Sequence, residues 1–174
     1  MNKNRRNVVL CGFMATGKTS VGKQLASLLN YEFLDMDTII ETQTGMSIPQ
    51  IFSSQGEPYF RALESRVAEQ VAQKSGCVIA TGGGTIVNRQ NLDNLKRNGI
   101  VIALTANPEI ILLRTGSGDS RPMLGEGDHL QRIRLLMEQR SPAYAMADMT
   151  IDTSSAGIEE VASMIVNRLQ EIGF

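Results

Sequence analysis

The stretch Gly12-Phe13-Met14-Ala15-Thr16-Gly17-Lys18-Thr19 fits the pattern G-x-x-x-x-G-K-[ST]. Residues of these types at this spacing suit the holding of a phosphate chain. Backbone N–H groups of such a loop converge on phosphate oxygens, and the helix that follows adds its positive N-terminal end. Glycines keep the loop free of Cβ atoms that would block the approach. The Lys18 ammonium can reach the β- and γ-phosphates, and the Thr19 hydroxyl can ligate Mg²⁺. The nucleotide-binding set read from the loop is Gly12, Ala15, Thr16, Gly17, Lys18, Thr19 and Ser20. Whether the nucleotide is turned over or only held is not decided by these residues.

Other residues bear on that question. "LDMD" carries Asp35 and Asp37. One carboxylate could hold the hydration shell of Mg²⁺ while the other accepts a proton from an attacking hydroxyl. A D-x-D at a strand end is more often a helix cap or a turn, so the pair is not decisive alone. "TGGGT" places Gly82, Gly83 and Gly84 in a row, exposing backbone N–H groups to a ligand or forming a plain turn. Arg61, Arg114, Arg121 and Arg140 stand in "YFRALE", "LLRTG", "SRPML" and "EQRSPAY". Guanidinium groups bind carboxylates and phosphates bidentately, although any single arginine is ordinarily a solvated surface residue.

These residues need a scaffold that brings them to one edge. Five short apolar runs, at 8–11, 31–35, 77–81, 100–105 and 149–153, read as strands. Continuous apolar runs of this length suit strands covered on both faces. Between them Val21, Leu25, Leu28 and Leu29 recur at helical spacing. So do Phe60, Leu63, Val67 and Val71, and later Ile158, Val161, Ile165 and Leu169. The alternation predicts an α/β fold of three α/β/α layers, with a central parallel sheet and helices on both faces. The motifs following the first three strands then share the carboxyl edge, where ligands bind in such sheets. Residues 115–128, "TGSGDSRPMLGEGD", break the rhythm with four glycines and a proline, and read as a mobile lid.

Composition narrows the function classes. The chain has 174 residues, 42% of them hydrophobic, and carries 17 basic against 18 acidic residues. That is enough for a single domain with a real core, and the near-zero net charge gives no field to recruit nucleic acid or an anionic membrane. No apolar run reaches the length that spans a bilayer, so a cytoplasmic protein is expected. Cys11 and Cys77 read as reduced and buried, and His129, the only histidine, as a surface or helix-start residue. A regulatory GTPase would need a D-x-x-G segment and an N-K-x-D guanine reader, and the sequence contains neither.

Taken together, the P-loop, "LDMD", "FRALE", "TGGGT", "RTGSGDSRPML" and "QRSPAY" resemble the shikimate kinases, P-loop proteins of the nucleoside-monophosphate-kinase-like group, along nearly the whole chain. The resemblance implies transfer of the γ-phosphoryl of ATP to the 3-hydroxyl of shikimate, with Mg²⁺, by a monomer. It implies catalytic roles for Lys18, Asp37 and Arg121, with Asp35 near the metal beside Thr19. Asp37, Arg61, Gly82, Gly83, Gly84 and Arg140 are the implied shikimate contacts, within a substrate-binding helical region over about 35–62. Arg121 is implied to close onto the phosphates and Arg114 to pack on the adenine, near "IDTSS". The family commonly has glycine where this chain has Ala15, a change expected to be tolerated if the local φ is negative. Another small-molecule kinase, of the gluconate type, is the nearer rival, since the arginines and "TGGG" favour a carboxylated polyol of either kind.

Overall fold

Burial along the first strand sets the layers. Asn7–Gly12 (β1) is buried throughout, with Val9 and Cys11 in one core and Val8 and Leu10 in another. A strand with both faces apolar must lie inside a parallel sheet covered on both sides. The computed structural model describes residues 5–116 and 128–174. Glu32–Asp35 (β2), Cys77–Ala80 (β3), Gly99–Thr105 (β4) and Met149–Asp152 (β5) complete a sheet of order β2-β3-β1-β4-β5. All its pairings are parallel, and Val8 stands opposite both Val78 and Ile100. The five strands expected from the sequence are therefore present, shifted by no more than a residue at either end.

Lys18–Leu29 (α1) and Ile158–Glu171 (α8) cover one face. Met36–Thr44 (α2), Ile48–Gln55 (α3), Glu57–Ala72 (α4) and Arg89–Arg97 (α5) cover the other. Pro108–Thr115 (α6) and His129–Tyr144 (α7) pack around a smaller core that includes Phe13 of the phosphate loop. The stripe expected on α4 is buried at Phe60, Leu63, Val67 and Val71. On α1 the expected stripe is corrected: Leu28 is 52% exposed. Gly22 is the reason. A methyl there would lie 2.5 Å from the Phe33 ring, so the buried face turns toward Val21, Gly22, Leu25 and Ala26. Ile158, at the start of α8, is likewise exposed while Val161, Ile165 and Leu169 are buried.

Cys11 and Cys77 are buried free thiols. Burial pushes the Cys11 thiol up to about 12, which makes it a packing residue rather than a nucleophile. His129 begins α7 and is half-buried. Among the described residues no helix is long and apolar enough to cross a membrane. The expected lid, 115–128, falls almost wholly on 117–127, outside the described residues, and Arg121 with it.

The chain crosses from β3 over β1 to β4, so the sheet order reverses beside β1. In open parallel sheets the crevice at such a reversal, at the carboxyl ends of the strands, is where ligands bind.

Candidate active site

The loop after β1 is shaped by contacts that leave no choice at Gly12. Its φ is 138°, and a Cβ there would stand 2.2 Å from the Leu104 carbonyl oxygen. Gly17 caps α1 with no side-chain hydrogen bond, so the N–H groups of the helix's first turn face the crevice. The Thr16 hydroxyl clasps the loop by donating to Phe13 O at 2.8 Å. Lys18 Nζ donates to Gly12 O at 2.9 Å and Phe13 O at 2.8 Å, lying along the inside of the loop. Ala15 departs from expectation: its φ is +58°, not negative. The loop demands the left-handed conformation here, which costs an alanine about 1 kcal/mol that glycine escapes.

The carboxylates of β2 and α2 turn out to cap and to line the crevice at once. Asp35 Oδ1 accepts from the N–H groups of Asp37 (3.1 Å) and Thr38 (3.3 Å), capping α2. Its Oδ2 accepts from the Thr19 hydroxyl at 2.8 Å. Hydroxyl and carboxylate oxygens so placed beside a phosphate loop are the donor set that Mg²⁺ uses. Asp37 is the second residue of α2, and its Oδ1 is buried with no hydrogen-bond partner among the described residues. Burial, reinforced by the neighbouring carboxylates of Asp35 and Glu64, pushes Asp37 up to about 6. A carboxylate with an open lone pair inside a cleft is equipped to receive a hydroxyl proton.

Opposite these groups, α4 carries Arg61. Its Nε and Nη2 donate to Glu57 and its Nη1 to Glu64, which leaves two of the five guanidinium N–H groups for a ligand. Glu64 is only 2% exposed and also accepts from the Thr85 hydroxyl at 2.6 Å. The glycine run faces these arginines: methyls built on Gly83 and Gly84 would stand 3.3 Å from Arg140 Nη1 and 2.7 Å from Arg61 Nη1. On its other side Arg140 lies 5.6 Å over the Phe13 ring. One cavity of about 540 Å³ is lined by Lys18, Thr19, Asp35, Asp37, Arg61, Gly82, Gly83, Gly84 and Arg140, with Ile48, Pro49, Phe52 and Phe60 as an apolar wall. Ala15, Gly17 and Ser20 border it as well.

A second hollow of about 430 Å³ opens behind the loop, lined by Thr16, Gly17, Ser20, Arg114, Thr153, Ala156 and Gly157. Arg114 bridges its walls, donating to Ala15 O at 3.3 Å and to the hydroxyl and carbonyl of Thr153. The Thr153 hydroxyl in turn donates to Thr16 O at 3.1 Å. Thus "IDTSS" abuts the phosphate loop, as its sequence position suggests.

The chain's likeness to other proteins agrees with this geometry. The shikimate kinase family model matches residues 14–170. The chain belongs to the shikimate kinase family. A shikimate kinase of Caldanaerobacter subterraneus subsp. tengcongensis is 45% identical over 161 residues, 92% of this chain and 94% of that one. The structure of shikimate kinase from Acinetobacter baumannii in complex with shikimate superposes with a TM-score of 0.93 at 38% identity, covering 98% of this chain and 96% of that one. A gluconokinase from Sinorhizobium meliloti shares the fold, with a TM-score of 0.63 at 15% identity over 98% and 95% of the two chains.

Three residues in or beside this candidate site escape a reading of the sequence. Glu64 is the only charged side chain among the described buried residues, and its i, i+3 spacing from Arg61 was the available signal. Thr153 ties Arg114 to the phosphate loop through a hydroxyl with no recognisable pattern around it. Tyr144, four residues after Arg140, reaches the glycine run by a tertiary contact that no local pattern announces.

Proposed function

We propose that the 540 Å³ cavity is where the terminal phosphate of ATP meets the 3-hydroxyl of shikimate. The protein is an ATP-dependent shikimate kinase by family, and ATP is its cosubstrate. In the transfer, the shikimate oxygen forms a bond to the γ-phosphorus, the bond to the β–γ bridging oxygen breaks, and ADP leaves. The hydroxyl proton passes to the Asp37 carboxylate. Lys18 and the loop N–H groups neutralise charge on the phosphates, work that phosphoryl transfer requires more than covalent assistance. Arg61 and Arg140 hold the acceptor's carboxylate, and Gly82, Gly83 and Gly84 allow it to lie against the main chain. Arg114 borders the adenine subsite behind the loop, and to Arg121, outside the described residues, we assign the phosphate role that the family resemblance implies.

Mg²⁺ fits the Thr19 hydroxyl and Asp35 carboxylate, an oxygen pair already in contact at 2.8 Å. Bound there, it would supply charge neutralisation for the phosphates. We assign the protein to the cytoplasm as a monomer with no nucleic-acid partner.

The observation that carries the reading is continuity: the phosphate loop, the carboxylate pair and two arginines border one cavity. An acceptor panel tests it. With ATP and Mg²⁺, coupled ADP release is expected with shikimate and absent with gluconate or a nucleoside monophosphate. No shikimate-dependent signal would sink the assignment.

Two substitutions probe the acceptor end. Arg61→Ala removes a charged, bidentate donor and is expected to weaken shikimate binding by roughly 10- to 100-fold while sparing ATP. Equal loss of both affinities by calorimetry counts against the carboxylate role. Gly84→Ala should act on the same step from the other side, because its methyl would meet the Arg61 guanidinium at 2.7 Å. A shikimate KM that stays at the native value in Gly84→Ala would show that Arg61 can move aside without cost.

A further inference from the structure

Tyr144 lines no part of the cavity, yet it fastens parts that do. Its hydroxyl donates to Gly83 O at 2.5 Å, joining the last turn of α7 to the glycine run. Arg140 lies on the same helix, four residues earlier, close enough for its charge to act on the phenol. Tyr144 does not line the 540 Å³ cavity, whereas Gly83, Gly84 and Arg140 do, so the carbonyl is held from behind. In a trans peptide the N–H lies opposite the C=O. Fixing Gly83 O toward Tyr144 therefore turns the Gly84 N–H toward the cavity. This peptide also sits between the two arginines, Gly83 against Arg140 and Gly84 against Arg61.

The helix cannot supply this rigidity itself. Pro142 lies inside α7, between Arg140 and Tyr144. Proline has no N–H to donate to the carbonyl four residues back, so the turn that carries both side chains lacks one of its ladder bonds. In the glycine run, Gly82 O accepts from Thr85 N–H at 3.3 Å and Gly84 O from Val87 N–H at 3.1 Å, and Tyr144 supplies the tie at the glycine between them, where backbone freedom is widest.

We propose that Tyr144 is a positioning residue for the acceptor, acting through Arg140 and the Gly83–Gly84 peptide to hold the carboxylate-binding groups at a fixed separation. This deepens the shikimate kinase reading and rests on it. The phenol donates to the main-chain carbonyl of Gly83 beside Arg140, and it lines no part of the cavity. Its loss should consequently appear in acceptor binding, not in chemistry and not in the nucleotide site.

The test is Tyr144→Phe, which keeps the ring and its packing and removes only the oxygen. Steady-state kinetics should give a shikimate KM raised about tenfold, kcat within about threefold and an unchanged KM for ATP. Calorimetric titration of shikimate without nucleotide should give the same loss of affinity. In an Arg140→Ala background, the same change should add less than about twofold, because the two residues act as one unit. A native shikimate KM in Tyr144→Phe overturns the proposal. So does a fall in melting temperature accompanied by parallel changes in both KM values, the mark of a merely structural residue, or full additivity with Arg140→Ala. Failure of the kinase reading is distinguishable, since it shows in the unmodified protein as ADP release that shikimate does not stimulate.

Discussion

Lys18→Met is expected to lower kcat/KM by roughly 10²–10³-fold, the usual effect of deleting one preorganised charge from a site where negative charge develops. The ammonium donates to Gly12 O and Phe13 O, inside the curve of the loop that would cradle the phosphates. It is thus held where a phosphate chain would arrive, and methionine keeps the length of the side chain while discarding the charge. Packing should survive, because the Lys18 Nζ contacts are with main-chain carbonyls in a half-buried rim and Lys18 belongs to none of the three cores. Coupled ADP release measured beside a thermal melt separates the two effects. Turnover within tenfold of the native rate, at native stability, would remove Lys18 from the phosphates.

Asp37→Asn should move activity and stability in opposite directions. Removing the proton acceptor is expected to slow turnover by roughly 10²–10⁴-fold. The same change relieves a cost of folding. Asp37 is held at about 6 rather than its ordinary 3.8 by burial and by Asp35 and Glu64. At neutral pH it is therefore ionised in a place that disfavours the charge. A raised carboxyl pKa destabilises the fold progressively as pH rises from the unfolded value to the folded one, and fully above it. Asparagine carries no such charge, so the variant should gain on the order of 2 kcal/mol at pH 7 without ligands, or several degrees of melting temperature. The gain should shrink toward pH 4, where the native carboxyl is protonated. A variant that melts at or below the native temperature at pH 7 would contradict the burial cost. One that is both more stable and nearly inactive fits a site that trades stability for chemistry.

How far the sequence exposes this site depends on the range of each signal. The five strands are legible because continuous apolar runs can be read residue by residue, and because both cores need them. The nucleotide loop is legible because its constraint is local: Gly12 is required by a carbonyl 2.2 Å away, and the motif records that requirement. Asp35 is half legible, since capping α2 and accepting from Thr19 demand the same residue type at the same place. Glu64 is hidden in "FRALE", where a glutamate on an exposed face and a glutamate buried against Arg61 and Thr85 look alike. Leu28 misleads for a tertiary reason, because the Phe33 ring rotates the buried face of α1 toward Gly22. The sign of φ at Ala15 is not written in residue type at all, and only the folded loop supplies it.

That left-handed alanine has a consequence for how this chain can change over generations. Every alanine codon lies one base from a glycine codon and one base from a valine codon. From Ala15 the first step relaxes the backbone at φ +58°, while the second adds a branched side chain where even a methyl is disfavoured. Mutation supplies both steps, and selection for a working loop keeps only one. Codon 15 is accordingly a one-way door, with drift toward glycine open and drift toward valine closed.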